Sequence, residues 1–330
     1  MTINIVSVKE RLEKGNATQP EQIVSGLFFR KSMAVIGAPD DSFKTNFALQ
    51  LVVSLAAGKP CYSYALKQCN VVYLVLEGGE DYILERIEEK VSALGLNRDD
   101  ILGRISVFDA SQKRLDDDKV SQGIEDSLAA LSPQPDVVVF DPITYAMSED
   151  VRFSPQKAKL CRNLLRLANR LNCVVLPIIH CRKSTQDNDN MDDFLGTSIV
   201  ADMAATRIKL YRLSENQVKV YSKTRYAERP DALTMIWKYP LLEVAPEVLQ
   251  PRIDCQRKIL KEMSSSACEP LKMAELVSKV AELTKHNQKT VRLALGTLAF
   301  EGKVQIYNLP KSAVKMVILT EAEDEKIYAS

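Results

Sequence analysis

The stretch MAVIGAPDDSFKTNFALQ, residues 33–50, joins an apolar run to a helical pattern through a short loop that ends in Lys-Thr. A loop that binds nucleotide phosphates has this order. Its backbone N–H groups and the positive end of the next helix hold the anion, its lysine reaches the phosphates, and its hydroxyl binds Mg²⁺. Two glycines usually shape the loop, but here Ala38 and Phe43 occupy their positions and Gly37 comes one place early. Taken alone, the stretch fits either a phosphate-binding loop or an ordinary turn between strand and helix.

The departures from a glycine-rich loop affect how tightly it could hold an anion. A methyl group at Ala38 would crowd the loop if that position needs a positive φ. The adjacent carboxylates of Asp40 and Asp41 would repel a phosphate. The candidate nucleotide-binding residues are Gly37, Ala38, Pro39, Asp40, Asp41, Ser42, Phe43, Lys44 and Thr45.

Short β-branched runs and helical patterns alternate over residues 20–240. Several of the runs are apolar on both faces, as strands buried in a parallel sheet are. The alternation predicts an α/β fold, with a wound, mainly parallel sheet between flanking helices. The last runs follow one another without helices, which predicts an antiparallel edge. Ligands of such sheets bind at the carboxyl ends of the strands, so polar residues that end a strand are candidates for a site.

Three polar residues end predicted strands in this region. Glu77 follows VVYLVL and could activate an attacking water, and Asp141 follows VVVF and could help to hold a metal ion. His180 ends the run CVVLPIIH. Each of them, considered singly, is also explained as a solvated or structurally satisfied residue at the end of a strand. Their order along the chain, after Lys44 and Thr45, favours a single nucleotide site.

These ordered segments resemble the RecA-like ATPases, and among them the plasmid-replication helicases of the RepA type. The resemblance covers about residues 20–237. The segments that carry it are SFKT (42–45), EGGED (77–81), FDPIT (140–144), HCRKS with FLGTSIVADMAA (180–205) and YSKTRY (221–226). It implies a RecA-like ATPase domain at residues 20–240 that uses ATP and Mg²⁺.

The resemblance also implies roles for single residues. It implies that Lys44 binds phosphate and that Thr45 and Asp141 hold Mg²⁺. It implies further that Glu77 polarises the attacking water and that His180 senses the γ-phosphate.

The family resemblance extends to assembly. A Lys-x-Arg segment in this family reaches the ATP of the neighbouring subunit, which implies that Lys223 and Arg225 act in trans. Arg207 is a second candidate for such an arginine. A contact in trans requires a ring or a filament. We therefore expect a homo-oligomer, a hexameric ring, with single-stranded DNA in its channel.

Two loops of a RecA-like ring would face the channel, at residues 145–157 and 181–196. The second loop offers Arg182 and Lys183 to DNA, but it also carries several aspartates, which repel phosphates. A solvated loop without a DNA contact is the alternative.

The pattern changes after residue 240. Prolines in the segment 241–254 predict a linker, and residues 255–320 then show three helical stretches and two strand-like runs. This is the outline of a winged helix, which would bind duplex DNA through its third helix. Residues 251–320 contain twelve Lys and Arg against six Asp and Glu. A winged helix that binds a protein partner is the alternative. The candidate DNA-contacting residues of this unit are Lys285, His286, Gln288, Lys289, Arg292 and Lys311.

Composition sets outer limits on these interpretations. The chain has 330 residues and a formal net charge of +1, which suits one large domain, or two unequal ones, and gives no overall sign of a nucleic-acid or membrane partner. We expect no membrane span and no secretory signal, because no apolar run is long enough. Seven cysteines without Cys-x-x-Cys spacing, and only two histidines, argue against disulfides and zinc and suit the cytoplasm. Residues 1–19 and the acidic tail 321–330 lie outside both predicted domains.

These features together predict an ATP-hydrolysing motor that acts on DNA, a replicative helicase or replication-initiation ATPase of a mobile element. Two alternatives stay open. One is a DNA-binding ATPase whose nucleotide controls assembly without unwinding. The other is a degenerate RecA-like scaffold that carries a DNA- or protein-binding winged helix.

Overall fold

The computed structural model describes residues 7–13, 20–146, 154–181, 198–265, 269–309 and 312–320. The predicted site residues Arg182, Lys183 and Lys311 and the acidic tail lie outside these ranges. A single turn of 3-10 helix spans Ile143–Ala146. The helices are α1 (Val8–Glu13), α2 (Lys44–Ala57), α3 (Glu80–Ala93), α4 (Arg98–Leu102), α5 (Asp118–Ala129), α6 (Ser154–Arg170), α7 (Ser198–Met203), α8 (Pro246–Ser264), α9 (Met273–Thr284) and α10 (Gln288–Phe300). The strands are β1 (Gln22–Val24), β2 (Phe28–Phe29), β3 (Ser32–Ala38), β4 (Val71–Val75), β5 (Ile105–Asp109), β6 (Val137–Asp141), β7 (Val174–His180), β8 (Thr206–Arg212), β9 (Gln217–Thr224), β10 (Leu233–Lys238), β11 (Leu241–Val244), β12 (Leu271–Lys272), β13 (Val304–Asn308) and β14 (Lys315–Leu319).

A nine-stranded sheet forms the centre of the molecule, in the order β11-β10-β9-β8-β3-β7-β6-β4-β5. The strands from β8 to β5 are parallel to their neighbours, whereas β9, β10 and β11 add an antiparallel edge. This confirms the predicted α/β fold with a mainly parallel sheet. Strands β3, β4 and β6 are buried along their whole length, because helices cover both faces of the sheet.

Two apolar layers hold the helices on the sheet. Phe47 and Leu51 of α2 belong to the layer on one face, and Leu160 and Leu164 of α6 belong to the layer on the other. Gly58 caps the C-terminus of α2, and its φ of 64° is the left-handed conformation that closes many helices. A Cβ atom at Gly58 would lie 2.9 Å from the side chain of Gln68, so glycine is required for space as well as for conformation.

The segment 241–254 differs from its prediction as a linker. Residues 241–244 form β11, which pairs with β10 at the edge of the central sheet, and α8 begins at Pro246. Proline suits the first position of a helix, where its missing N–H has no partner to lose. Pro251 lies within α8 and costs that helix one hydrogen bond. Pro246 and Pro251, which suggested a linker, therefore belong to α8, the helix that connects the central sheet to the unit containing α9 and α10.

Helices α8, α9 and α10 pack together with a three-stranded antiparallel sheet of order β12-β14-β13. Ile259, Val277, Leu295 and Val317, one from each of the three helices and one from β14, are among the buried residues that form a core separate from those of the large sheet. The two-residue strand β12 is too short to produce a recognisable pattern in the sequence. No helix in the described parts of the chain is long and apolar enough to cross a bilayer.

Candidate nucleotide site

The loop that joins β3 to α2 has strand, turn and helix in the order that phosphate binding requires. Strand β3 ends at Ala38, the loop spans residues 39–43, and α2 begins at Lys44. Ala38 is extended and pairs with His180, so the condition for crowding at this position is not met. The left-handed residues are instead Asp41, with a φ of 55°, and Phe43, with a φ of 61°. A non-glycine residue in this conformation costs about 1–2 kcal/mol, which must be offset by other contacts.

The ring of Phe43 makes contacts that stabilise its strained backbone. The ring centroids of Phe43 and Trp237 are 5.3 Å apart. The guanidinium of Arg212, the last residue of β8, lies 5.6 Å from the centroid of the Phe43 ring. Arg212 Nη1 also donates to the carbonyl of Asp41 at 2.7 Å. Loop residues 39–42 and residues 211–214 together line a cavity of about 360 Å³. The sequence did not single out Arg212, because the proximity of its strand to β3 is a property of the sheet order.

The predicted strand-end residues gather at the carboxyl edge of the sheet, because β3, β7, β6 and β4 are neighbours. Asp40 Oδ1 lies 2.5 Å from His180 Nδ1 and 3.4 Å from Lys44 Nζ. Glu77 Oε2 lies 4.0 Å from His180 Nε2. The structure thus brings the phosphate loop, the glutamate and the histidine to within a few ångströms of one another.

Asp141 is the buried carboxylate of this edge, with only 5% of its surface exposed. Tyr73 Oη donates to its Oδ2 at 2.5 Å, and its Oδ1 has no hydrogen-bond partner among the described residues. Burial raises the pKa of Asp141, and the hydroxyls of Tyr73 and Thr45 partly offset the rise. An unpartnered carboxylate oxygen close to a threonine hydroxyl fits a hard cation such as Mg²⁺. Tyr73 was not predicted, because within its strand it reads as one more apolar residue.

No group of three or more His, Cys, Asp or Glu that could hold a metal ion occurs within the part of the chain that the structure describes. A cation at Asp141 would therefore take its remaining ligands from Thr45, from bound phosphate and from water. Such a sparse protein shell is usual for Mg²⁺ and unlike a zinc site.

Tyr145 closes the site on the side of Glu77. The charge of Glu77 raises the pKa of the Tyr145 hydroxyl. The ring of Tyr145 meets the imidazole of His180 edge-on, with 5.9 Å between centroids. His180 Nε2 is buried and has no hydrogen-bond partner in the described residues. Glu77 itself stays about half exposed, as a residue that must meet a water molecule would be.

The predicted inter-subunit residues lie away from their own phosphate loop. Lys223 pairs across the sheet with Arg207, near the amino end of β8, whereas the loop lies near the carboxyl end of that strand. Arg207 Nη2 donates to Asp202 Oδ1 at 3.1 Å, and Arg225 donates to the backbone carbonyl of Asp202. The three cations are thus grouped with each other and separated from the nucleotide site of the same chain.

The predicted DNA-contacting residues of the second unit lie where α10 begins. Lys285 ends α9 with a φ of 57°, and Gln288 Nε2 donates to Ser278 Oγ at 3.2 Å. The two cations further along α10 form ion pairs with the loop between β9 and β10. Those pairs are Lys289 Nζ to Asp231 Oδ1 at 2.7 Å and Arg292 Nη1 to Glu228 Oε1 at 3.9 Å.

Comparison with known proteins adds to this geometry. The crystal structure of the RadB recombinase is similar, with a TM-score of 0.50 and 20% sequence identity, over 66% of this chain and 91% of that one. At this identity the likeness concerns the fold alone, and it agrees with the RecA-like sheet expected from the sequence. A search of curated protein sequences gave no match. The family model described as AAA domain matches residues 2–186, from the start of the chain through the phosphate loop, Glu77, Asp141 and His180. Since this match covers more than half of the 330 residues, the chain belongs to the AAA-domain family.

Proposed function

We propose that this protein binds ATP and Mg²⁺ and hydrolyses ATP as part of an oligomer that acts on DNA. One observation carries the proposal. The phosphate loop, an unpartnered buried carboxylate, a glutamate and a histidine meet at the carboxyl edge of one parallel sheet, in a chain of the AAA-domain family. Phosphate transfer needs these groups, since it depends on positioning and on electrostatic stabilisation of the phosphates.

In this proposal the N-terminus of α2 and the side chain of Lys44 bind the phosphates. Thr45 and Asp141 hold Mg²⁺, which supplies neutralisation of the phosphate charge when it is bound. The pairing of Asp141 with Tyr73 fixes the direction of the carboxylate. The unpartnered Oδ1 of Asp141 is left to face the cation or its water shell.

Glu77 orients the attacking water and accepts its proton. Its exposure gives it access to water. His180 lies between Glu77 and the phosphate loop, so it is placed to respond to the γ-phosphate. The side chains at this edge therefore divide into a phosphate-binding group, a metal-binding group and a water-activating group.

Lys223 and Arg225, with Arg207 as the second candidate, complete the site of a neighbouring subunit in a hexameric ring. Their distance from their own loop supports this role, because cations at that end of β9 cannot neutralise phosphates bound by the same chain. The ring would hold single-stranded DNA in its channel, with Arg182 and Lys183 as candidate contacts.

The arrangement of α8, α9, α10 and the sheet β12-β14-β13 supports a winged helix that binds DNA. Such a unit would bring the ring to duplex DNA through the first turns of α10. The whole chain is then a replicative helicase or a replication-initiation ATPase of a mobile element.

ATP turnover, with and without single-stranded DNA, tests the proposal. Glu77→Gln is expected to keep nucleotide binding and to lose about 10²–10⁴-fold in turnover. Glu80→Gln, three residues further along at the start of α3, is the matched control and should keep turnover. Absence of ATP binding by the wild-type chain would refute the proposal. Stimulation by DNA without unwinding of a forked duplex would favour the ATPase switch over the helicase.

A further inference from the structure

Asp40 occupies an unusual position within the phosphate loop. Its Oδ1 lies 2.5 Å from His180 Nδ1 and 3.4 Å from Lys44 Nζ, so one carboxylate oxygen contacts both side chains. These bonds lower the pKa of Asp40, with the His180 contact as the largest cause. The carboxylate is therefore held as an anion between the two side chains that face the nucleotide.

A carboxylate oxygen and a terminal phosphate oxygen present the same kind of hydrogen-bond acceptor to a lysine and an imidazole. Both are anionic acceptors, and both form short charge-assisted hydrogen bonds. Lys44 and His180 cannot make full-strength hydrogen bonds to Asp40 and to a γ-phosphate at the same time. The two anions would also repel each other. The side chain of Asp40 is 72% exposed, so it is free to swing away into solvent when it is displaced.

The neighbouring aspartate is placed differently. Asp41 accepts a hydrogen bond from Arg212 through its backbone carbonyl, and its backbone is left-handed, with a φ of 55°. The two carboxylates therefore carry equal charge on one loop, but only that of Asp40 contacts Lys44 and His180.

We propose that Asp40 is an internal competitor of the γ-phosphate, which holds Lys44 and His180 in the nucleotide-free site and yields them to ATP. This rests on the proposed ATP site. A nucleoside diphosphate lacks the phosphate that would reach His180, so it competes with Asp40 at Lys44 alone. Asp40 thus weakens the binding of a triphosphate more than that of a diphosphate. After hydrolysis and loss of phosphate, Asp40 bonds to His180 again, and the site returns to its nucleotide-free arrangement.

The test compares the affinities of the full-length chain for a non-hydrolysable ATP analogue and for ADP, both with Mg²⁺. Asp40→Asn keeps the shape of the side chain and removes its charge. We expect it to tighten binding of the analogue about tenfold, which is the scale of one charge-assisted hydrogen bond at a partly exposed site. Binding of ADP should tighten by about threefold or less.

Asp41→Asn is the matched control, because it removes the same charge from the next residue and asparagine tolerates the left-handed conformation. We expect it to tighten both nucleotides equally and weakly. Equal effects of the two substitutions would overturn the proposal, since they would show only general repulsion. Weaker binding by Asp40→Asn would overturn it too, by making Asp40 a ligand of the nucleotide.

A separate outcome identifies failure of the proposed function. If the wild-type chain and both variants are folded, as judged by their unfolding transitions, and none binds either nucleotide, the ATP site itself is refuted. If the wild-type chain binds and Asp40→Asn does not tighten the analogue, the ATP site stands and only the competitor is refuted.

Discussion

Replacing Asp141 by asparagine is expected to stabilise the ligand-free protein. The carboxylate is buried, its Oδ1 has no protein partner among the described residues, and its one short hydrogen bond comes from the neutral hydroxyl of Tyr73. A buried charge without a paired cation costs several kcal/mol, of which the hydroxyls recover a part. An amide of the same shape still accepts from Tyr73 but carries no charge. The free energy of unfolding should therefore rise by about 1–3 kcal/mol.

Asp136, at the other end of the same strand, provides the matched control. It accepts from Arg30 Nη2 at 2.6 Å and from the backbone N–H of Asn70 at 2.8 Å, so its charge is paired. Asp136→Asn should lower the free energy of unfolding by about 1–3 kcal/mol. The two substitutions make the same chemical change at opposite edges of the sheet, and we expect opposite signs.

Urea unfolding measures both effects, because the only tryptophan of the chain reports on the central sheet. Trp237 lies in β10 and packs against Phe43 of the phosphate loop. A second titration with Mg²⁺ and an ATP analogue should stabilise the wild-type protein by mass action and stabilise Asp141→Asn much less. Loss of stability in Asp141→Asn, comparable to that of Asp136→Asn, would refute the reasoning. It would mean that the carboxylate is stabilised within the chain and needs no cation.

Three more predictions follow from other contacts. Burial lowers the pKa of Lys90 to about 8, below its unfolded value of 10.5, so the contribution of Lys90 to the free energy of unfolding should rise by about 3 kcal/mol between pH 8 and 10.5, and urea unfolding should show the wild type gaining stability relative to Lys90→Met over this range. Arg225→Ala should bind ATP without hydrolysing it, and mixing it with Lys44→Ala subunits should restore part of the turnover if the arginine acts in trans. Lys289→Ala should weaken DNA binding in a fluorescence anisotropy titration, whereas Asp231→Asn, which frees Lys289 from its ion pair, should strengthen it.

The convergence of the candidate site residues could be predicted because it depends on strand ends. Glu77, Asp141 and His180 each follow an apolar run, and in a parallel sheet all strands end at the same edge. Such a pattern does not reveal which strands are neighbours in the sheet. Tyr73 and Arg212 belong to the site because β4 lies next to β6 and β8 next to β3, and neither neighbour is adjacent in the sequence. The sequence therefore did not predict the side chains that the lateral order of the strands brings to the site.

Local conformation was the other part that the sequence could not supply. Glycine predicts a left-handed residue because it adopts that conformation at no cost, but its absence does not exclude one. Phe43 adopts a φ of 61° since its ring packs on Trp237, which lies almost two hundred residues later in the chain. A long-range contact thus replaces the glycine of the usual loop. The same limit applies to Lys289, whose partner Asp231 lies on another unit.

The distribution of unpartnered groups distinguishes the two edges of the central sheet. At the amino edge, Arg30 Nη2 pairs with Asp136 at 2.6 Å and Arg30 Nε lies 3.1 Å from Glu21 Oε2, so the charges are neutralised within the chain even though that Nε makes no hydrogen bond to a described residue. At the carboxyl edge, Asp141 Oδ1, Thr144 Oγ1 and His180 Nε2 are buried without partners among the described residues. Leaving a buried polar atom unpaired costs about 1–3 kcal/mol, so three of them in one place are a large cost for a site without a ligand. A bound cation, phosphate and water would satisfy an acceptor, a hydroxyl and an imidazole together. The energetic cost of this edge therefore supports the proposed nucleotide site.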